Sequence, residues 1–221
     1  PMLGIADEDV TGIDDMILPV TVNGLQVISI GMLKQSRDQV IAWRGPILDR
    51  AIQQFLADVY WGDLDFLLVD LPPGTGDVAM SLGTKLPNAE VLVVTTPQQA
   101  AAEVAERAGS IALQTHQRLV GVIENMSWLE LPDGTRQEIF GSGGGRAVAE
   151  SLSRSIGAEV PLLGQIPLDT TLREGGDTGL PSVLGTPDSP GATALRGIAR
   201  QLAHRGRGLA GRKLGITPTG R

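Results

Sequence analysis

The chain has 221 residues, of which 42% are apolar and 19% are charged, a composition that is typical of a folded globular domain and excludes a disordered chain. Cysteine is absent, which excludes a disulfide scaffold, a cysteine nucleophile and a cysteine-ligated metal site within these residues. The net charge is −7, and because five basic residues and no acidic ones lie in 205–221, residues 1–204 are more acidic still. An acidic body argues against a nucleic-acid partner.

Four short apolar runs, at residues 66–69, 91–94, 119–123 and 162–166, predict the strands of a parallel sheet. The first two runs contain no polar residue, which is typical of strands that are covered on both faces. A further strand is expected at 25–30, in the same sheet. No apolar run has the length of a membrane span, so we expect a cytoplasmic protein without a membrane partner.

Apolar residues at helical spacing predict helices that begin at Pro46, after Pro97 and after the glycines at 143–145. Because strands and helices alternate, the expected fold class is α/β, with a doubly wound, mostly parallel sheet. The glycines at 141–145 are open to two interpretations, an anion site at the start of a helix or a hinge.

Two further segments set the predicted domain organisation. Asp133-Gly134 lies between two strand-like runs and predicts a hairpin insertion at about 126–140. The domain is expected to span 1–204, and the basic, glycine-rich residues 205–221 to form a disordered tail.

The segment after the first apolar run carries the strongest chemical signal. Ligands of open α/β sheets bind beyond the carboxyl ends of the strands, and this run ends in Asp70, within Val69-Asp-Leu-Pro-Pro-Gly-Thr-Gly-Asp77. A carboxylate there can hold a magnesium-bound water, and the glycines allow backbone amides to approach a phosphate. On the residues alone, an aspartate that caps a turn remains the alternative.

This segment closely resembles switch II of the Mrp-type iron–sulfur carrier ATPases, a family of the deviant-Walker clan that includes MinD and ParA. Further matching motifs follow in the family's order over residues 1–185. They are Trp43-Arg-Gly-Pro46, Thr95-Thr-Pro-Gln98, Glu124-Asn-Met-Ser127, Phe140-Gly141 with the glycines to Gly145, and Gly164-Gln-Ile-Pro-Leu-Asp169. Each motif alone is weak, but their order and spacing are specific. The resemblance implies a MinD-like P-loop NTPase fold.

The resemblance also implies roles for residues on the phosphate side of a nucleotide site. Asp70 is similar to the catalytic acidic residue near Mg²⁺ and the attacking water. Gly74, Thr75 and Gly76 resemble the switch loop that senses the γ-phosphate of ATP.

Other matching residues are implied on the base side. Asn125 is similar to the residue that hydrogen-bonds the adenine edge, and Pro167, Leu168 and Asp169 resemble the loop on the other side of the base. On the residues alone, Asn125 remains an ordinary turn residue and Asp169 the N-cap of a helix.

Two features of the family are not found in these residues. The first is the P-loop, Gly-x-x-x-x-Gly-Lys-Ser/Thr, which in the family lies upstream of the segment that matches residues 1–5. We therefore expect the chain to be a fragment that lacks the central strand of the sheet. We expect this fragment alone to bind ATP poorly and to be inactive. The second is the cluster-binding cysteine pair, whose positions hold Leu131 and Gly134, two residues that cannot ligate iron.

The resemblance implies that the intact protein binds and hydrolyses ATP as an iron–sulfur cluster carrier or assembly factor. The implied cofactors are ATP, Mg²⁺ and a cluster, and the implied partners are a second copy in a homodimer and iron–sulfur recipient or scaffold proteins. Two alternatives stay open: a partition or cell-division ATPase, and a non-enzymatic scaffold or remnant. The first alternative predicts a basic face or a C-terminal amphipathic helix, and residues 205–221 show neither pattern.

Overall fold

The structure, a computed structural model, describes residues 1–33, 45–71 and 76–205. Trp43, Gly74, Thr75 and the tail beyond residue 205 lie outside the described residues. The strands are β1 (Thr11–Ile13), β2 (Met16–Leu18), β3 (Val20–Val22), β4 (Leu25–Val27), β5 (Glu90–Thr95), β6 (Arg118–Glu124), β7 (Leu129–Glu130), β8 (Arg136–Gln137) and β9 (Leu162–Gln165). The α-helices are α1 (Gly45–Ala57), α2 (Gly76–Lys85), α3 (Gln99–Gln114), α4 (Gly144–Ile156), α5 (Thr170–Thr178), α6 (Ser182–Gly185) and α7 (Pro190–His204).

Within the described residues, the central element is a parallel sheet of three strands in the order β5-β6-β9. The strands predicted at 91–94, 119–123 and 162–166 are therefore confirmed. Helices α3 and α4 pack on one face of this sheet, and α5 and α7 pack on the other. The α/β class and its doubly wound arrangement are confirmed.

A separate apolar core fills each side of the sheet. On one side Val122 and Val148 are completely buried and Leu152 is 2% exposed, and burial of each such side chain stabilises the fold by about 2 kcal/mol. Helix α3 comes close to Leu152 because Gly109 has no side chain; a Cβ there would lie 2.3 Å from Leu152 Cδ2. On the other side the buried residues are Ile123, Leu163, Ile166 and Ile198.

The predicted strand at 66–69 is wrong in this structure. These residues form no strand, and their apolar side chains are exposed, Leu68 by 85%. A strand needs a neighbour that satisfies its backbone N–H and C=O groups, and no described strand flanks this run. Within the described ranges β5 is likewise paired only on the side of β6.

The expectation that 25–30 joins the main sheet is also wrong. Only Leu25–Val27 is a strand, and it pairs antiparallel with β3 in a separate hairpin. Asn23 and Gly24 form its turn with φ values of 50° and 78°, which are typical of a two-residue hairpin connection. This local turn fixes an antiparallel partner next in sequence and prevents a parallel pairing farther away.

Other predicted elements are confirmed with shifted ends. The hairpin within 126–140 is the antiparallel pair of β7 and β8. Helices start at Gly45, Gln99 and Gly144, each within two residues of the predicted position, and α7 ends at His204. None of the helices in the described ranges is long and apolar enough to cross a membrane.

Candidate functional site

The carboxyl ends of the three parallel strands are joined by backbone hydrogen bonds beyond the regular ladder. The Asn125 amide donates to the Thr95 carbonyl at 2.8 Å, and the Ile166 amide donates to the Glu124 carbonyl, also at 2.8 Å. The segments that follow β5, β6 and β9 therefore start side by side, at the edge where open α/β sheets bind their ligands.

Asn125 directly follows β6 and is half-buried. Its Oδ1 accepts a hydrogen bond from the Met126 amide at 2.9 Å, and Met126 has a positive φ of 57°. This turn fixes the carboxamide with its oxygen toward the backbone. None of the described residues accepts a hydrogen bond from Asn125 Nδ2.

The loop after β9 runs beside the segment after Asn125. The Ser127 amide donates to the Ile166 carbonyl at 3.0 Å, and the Leu168 amide donates to the Trp128 carbonyl at 2.7 Å. Pro167 is buried and Leu168 is half-buried in this loop. The structure thus brings Asn125, Pro167 and Leu168 onto adjacent segments of one edge.

Asp169 is the N-cap of α5, as the alternative interpretation predicted. Its Oδ1 accepts hydrogen bonds from the amide and the hydroxyl of Thr171, and its Oδ2 accepts one from the Gly191 amide. Burial raises the pKa of Asp169, but the hydrogen bonds from Thr171, Gly191 and Ser189 outweigh it, so the net pKa is lowered. Both carboxylate oxygens are therefore engaged in holding the fold.

The start of α4 already holds an anion that belongs to the protein. Glu124 is 1% exposed, and its Oε2 accepts a hydrogen bond from the Gly145 amide at 2.6 Å. Gly143, the N-cap, has a positive φ of 81° and no side chain to cap the helix. The Gly145 amide is therefore already bonded to the Glu124 carboxylate and is not available to an external anion. The interpretation of 141–145 as an anion site is wrong for this amide.

Asp70 is not brought together with the base-side residues. It is exposed, and no hydrogen bond or ion pair links it to another described residue. Gly76 starts α2, and the described ranges contain no group of three His, Cys, Asp or Glu residues that could hold a metal ion. Mg²⁺ is held in proteins by one or two carboxylates together with water and substrate phosphates, so a single exposed carboxylate fits a water-mediated contact with it.

Leu131 and Gly134 are the two ends of the turn in the hairpin. The Gly134 amide donates to the Leu131 carbonyl at 2.9 Å, and Gly134 has a φ of 81°, a conformation that favours glycine. Neither side chain has a donor atom for iron. Asp133 lies between them, and hydrogen bonds from the backbone and side chain of Thr135 lower the pKa of its carboxylate.

Glu124 is the residue that sequence analysis missed. It ends an apolar strand just as Asp70 ends its apolar run, so the same pattern of a strand followed by a carboxylate marks both. The motif match drew attention to Asn125 and not to the buried charge before it.

Known proteins share this architecture and sequence. The sequence model described as "ParA: NUBPL iron-transfer P-loop NTPase" matches residues 1–203. The iron–sulfur cluster carrier protein of Mycobacterium tuberculosis is 63% identical over 220 residues, which cover 100% of this chain and 57% of that protein. The chain therefore spans a little more than half the length of the curated relatives that it matches.

Two solved structures are similar to the chain. One is the nucleotide-binding protein of Archaeoglobus fulgidus in complex with ADP, with a TM-score of 0.64 and 32% identity over 80% of this chain and 67% of that one. The other is the septum site-determining protein MinD of Pyrococcus horikoshii with Mg-ADP, with a TM-score of 0.52 and 26% identity over 78% of this chain and 60% of that one. The motifs, the parallel sheet and these matches agree: the chain belongs to the ParA family of NUBPL-type iron-transfer P-loop NTPases.

Proposed function

We propose that the protein binds and hydrolyses ATP and carries iron–sulfur clusters or assists their assembly. The observation that carries this proposal is the placement of Asn125 beside Pro167 and Leu168 at the carboxyl edge of the sheet, in a chain 63% identical to a protein named an iron–sulfur cluster carrier. The similar Archaeoglobus protein was solved with ADP, which supports a nucleotide at this edge.

The base side of the proposed site uses polar and apolar contacts. Asn125 Nδ2 has no acceptor among the described residues and is free to donate to a ring nitrogen of adenine. Pro167 and Leu168 supply an apolar wall on the other side of the base. Asp169 takes part by holding this loop, since both of its oxygens are already hydrogen-bonded.

The phosphate side is proposed to centre on Asp70. When bound, Mg²⁺ offsets the charge of the β- and γ-phosphates. Asp70 would hold a water of its coordination shell, and the amides of Gly74, Thr75 and Gly76 would donate to the γ-phosphate. Water then attacks the γ-phosphorus while the bond to the bridging oxygen breaks, and the protein contributes position and charge.

The iron–sulfur cluster is the proposed cargo, and we propose that its ligands lie outside the hairpin. Leu131 and Gly134 offer no donor atom, and carboxylates are poor substitutes for thiolates around iron and sulfide. The proposed partners are a second copy of the protein and an iron–sulfur recipient or scaffold protein, in the cytoplasm.

The proposal is tested on the protein as its complete gene encodes it. Calorimetry with ADP and ATP measures binding, phosphate release measures hydrolysis, and visible absorbance follows a reconstituted cluster and its transfer to an apo-ferredoxin. We expect nucleotide binding, slow hydrolysis and transfer. Absence of a transferable cluster, together with co-sedimentation on DNA or liposomes, would favour a partition ATPase, and absence of hydrolysis would favour a scaffold.

A further inference from the structure

Glu124 is a buried charge to which the proposed function assigns no role. It is one of the largest side chains in the described part of the chain that are less than 2% exposed. Its Oε2 accepts from the Gly145 amide at 2.6 Å and its Oε1 accepts from Gln165 Nε2 at 2.7 Å. A carboxylate is costly to bury unless both oxygens have partners, and here both do.

The two hydrogen bonds of Glu124 lead to different elements. Gly145 lies in the first turn of α4, and Gln165 is the last residue of β9. Glu124 itself ends β6, and its carbonyl accepts from the Ile166 amide and the Ser127 hydroxyl. One residue therefore joins β6, α4 and β9 at the edge where the proposed base site lies.

The fit between Glu124 and α4 depends on the missing side chain of Gly145. A Cβ at Gly145 would lie 2.7 Å from Glu124 Cβ, closer than real Cβ contacts allow. Glycine thus lets the helix start approach the carboxylate. A negative charge is favourable at that end, because the unpaired amides of the first helical turn carry a partial positive charge.

We call the Glu124 carboxylate, with its hydrogen bonds to Gly145 and Gln165, the clamp. The residues next to it in sequence are those of the proposed base site. Asn125 follows Glu124 directly, and Pro167 and Leu168 follow Gln165 by two and three positions. The hydrogen bond from Gln165 to Glu124 therefore adds a side-chain link to the backbone bonds between the strand that carries Asn125 and the loop that carries Pro167.

We propose that Glu124 is a positioning residue, whose buried carboxylate ties Gly145 and Gln165 to the end of β6 and, together with the backbone bonds between β6 and β9, holds the spacing between Asn125 and the Pro167–Leu168 loop. Its effect is on selectivity for adenine. This inference rests on the proposed function in one respect, that a nucleotide base binds between Asn125 and the Pro167–Leu168 loop.

Three substitutions in the protein from its complete gene test the proposal through the ratio of the dissociation constants for GTP and ATP. Glu124→Gln keeps both bonds, because the Gln165 carboxamide can turn over and accept from the new amide, so the ratio stays within about threefold of the unchanged protein. Glu124→Met removes both bonds at similar volume, and the ratio falls about tenfold, as expected when a displaced Asn125 no longer makes its hydrogen bond to adenine. Gln165→Met, at an exposed residue, removes one of the two bonds, so its ratio should lie between those of the two Glu124 variants.

A matched control separates positioning from stability. Val148→Ala truncates a completely buried side chain in α4 and destabilises the fold without touching the clamp. We expect it to lower the melting temperature and leave the ratio unchanged. An unchanged ratio in both methionine variants, or an equal loss in Glu124→Gln, would overturn the proposal.

A second measurement on the chain of 221 residues needs no nucleotide. In ¹H–¹⁵N spectra, Gln165→Met and Glu124→Met should shift the side-chain signal of Asn125 and the amide signal of Leu168, whereas Glu124→Gln leaves both near their original positions. Unmoved signals in the methionine variants would refute the clamp. If the signals move but the unsubstituted protein from its complete gene binds no nucleotide, the proposed function fails and the positioning role of Glu124 stands.

Discussion

Asp169 Oδ2 accepts a hydrogen bond from the Gly191 amide at 2.9 Å, and so a single carboxylate links the start of α5 to the start of α7. The fit requires glycine, since a Cβ at Gly191 would lie 2.6 Å from Leu172 Cδ1 and 2.9 Å from Asp169 Oδ2. A residue that the motif places beside the base thus also closes the fold around the second core.

The Asp169→Asn variant should lose about 1–2 kcal/mol of unfolding free energy at pH 7. The carboxamide oxygen of the new asparagine can still accept from Thr171, but its Nδ2 faces the Gly191 N–H, so two donors oppose each other. Because the folded-state pKa of Asp169 is lowered, its contribution is present above the unfolded-state pKa of about 4 and is lost as pH falls through the folded value. The difference between the two proteins in urea unfolding should therefore shrink below pH 4.

The control for this variant is Asp177→Asn, in the same helix. The Asp177 carboxylate forms an exposed i,i+4 ion pair with Arg173, so its loss should change the unfolding free energy by less than about 0.5 kcal/mol. Equal effects of the two substitutions would contradict the role of Asp169.

Two glycines in helices should respond in opposite ways to alanine. At Gly144 a Cβ would lie 2.5 Å from the Pro97 carbonyl oxygen, which is backbone and cannot move aside, so Gly144→Ala should cost about 1–3 kcal/mol. At Gly197, in α7, an added Cβ would have no atom from elsewhere in the described residues within 4 Å, and Gly197→Ala should stabilise by about 0.5–1 kcal/mol. Thermal unfolding of both variants checks the pair, and a stabilised Gly144→Ala would refute the close packing of α4 on residue 97.

Asp70→Asn should lower ATP turnover far more than ATP affinity in the protein from its complete gene. The substitution keeps the shape of the side chain but removes the charge that would orient the attacking water. Steady-state phosphate release and calorimetry measure the two quantities. Asp63→Asn, seven residues earlier and also exposed, is the matched control and should change neither. Equal turnover with Asp70 and with its asparagine variant would remove the catalytic role.

Leu68→Lys should reduce aggregation of the chain without destabilising it. Leu68 is 85% exposed and its apolar neighbours at 66–69 are exposed as well, so the change should leave the unfolding free energy within about 0.5 kcal/mol and interrupt an apolar surface. Leu180→Lys, at a remote position 52% exposed, should leave the unfolding free energy similarly unchanged and reduce aggregation less. Urea unfolding and light scattering measure the two effects, and a Leu68→Lys variant that aggregates as readily as the unchanged chain would contradict the prediction.

Sequence patterns predicted the elements whose partners lie nearby in the described chain. The runs at 91–94 and 119–123 are strands because each finds a parallel neighbour. The run at 66–69 has the same apolar character, but pairing depends on a non-local partner that a pattern cannot supply. At 25–30 the opposite error arose, since the turn at Asn23 and Gly24 decides the pairing locally.

The candidate site was predictable to the extent that single residues carry a motif. The family resemblance singled out Asn125, which on the residues alone remained an ordinary turn residue, and the structure adds that its Oδ1 is bonded to its own backbone neighbour. The role of Glu124 depends on Gly145 and Gln165, which lie 21 and 41 residues later. Contacts between residues so far apart follow no fixed spacing along the chain, so the sequence alone does not predict them.

The 2.7 Å bond from the Leu168 amide to the Trp128 carbonyl has a thermodynamic consequence for the hairpin. Trp128 leads directly into β7 and is stacked under Arg136 of β8, at 4.1 Å from the ring centre. A molecule that bound the hairpin and displaced the Trp128 carbonyl would break this bond to Leu168. Where such binding changes the affinity of the proposed nucleotide site, reciprocity requires that the nucleotide change the affinity for that molecule by the same factor.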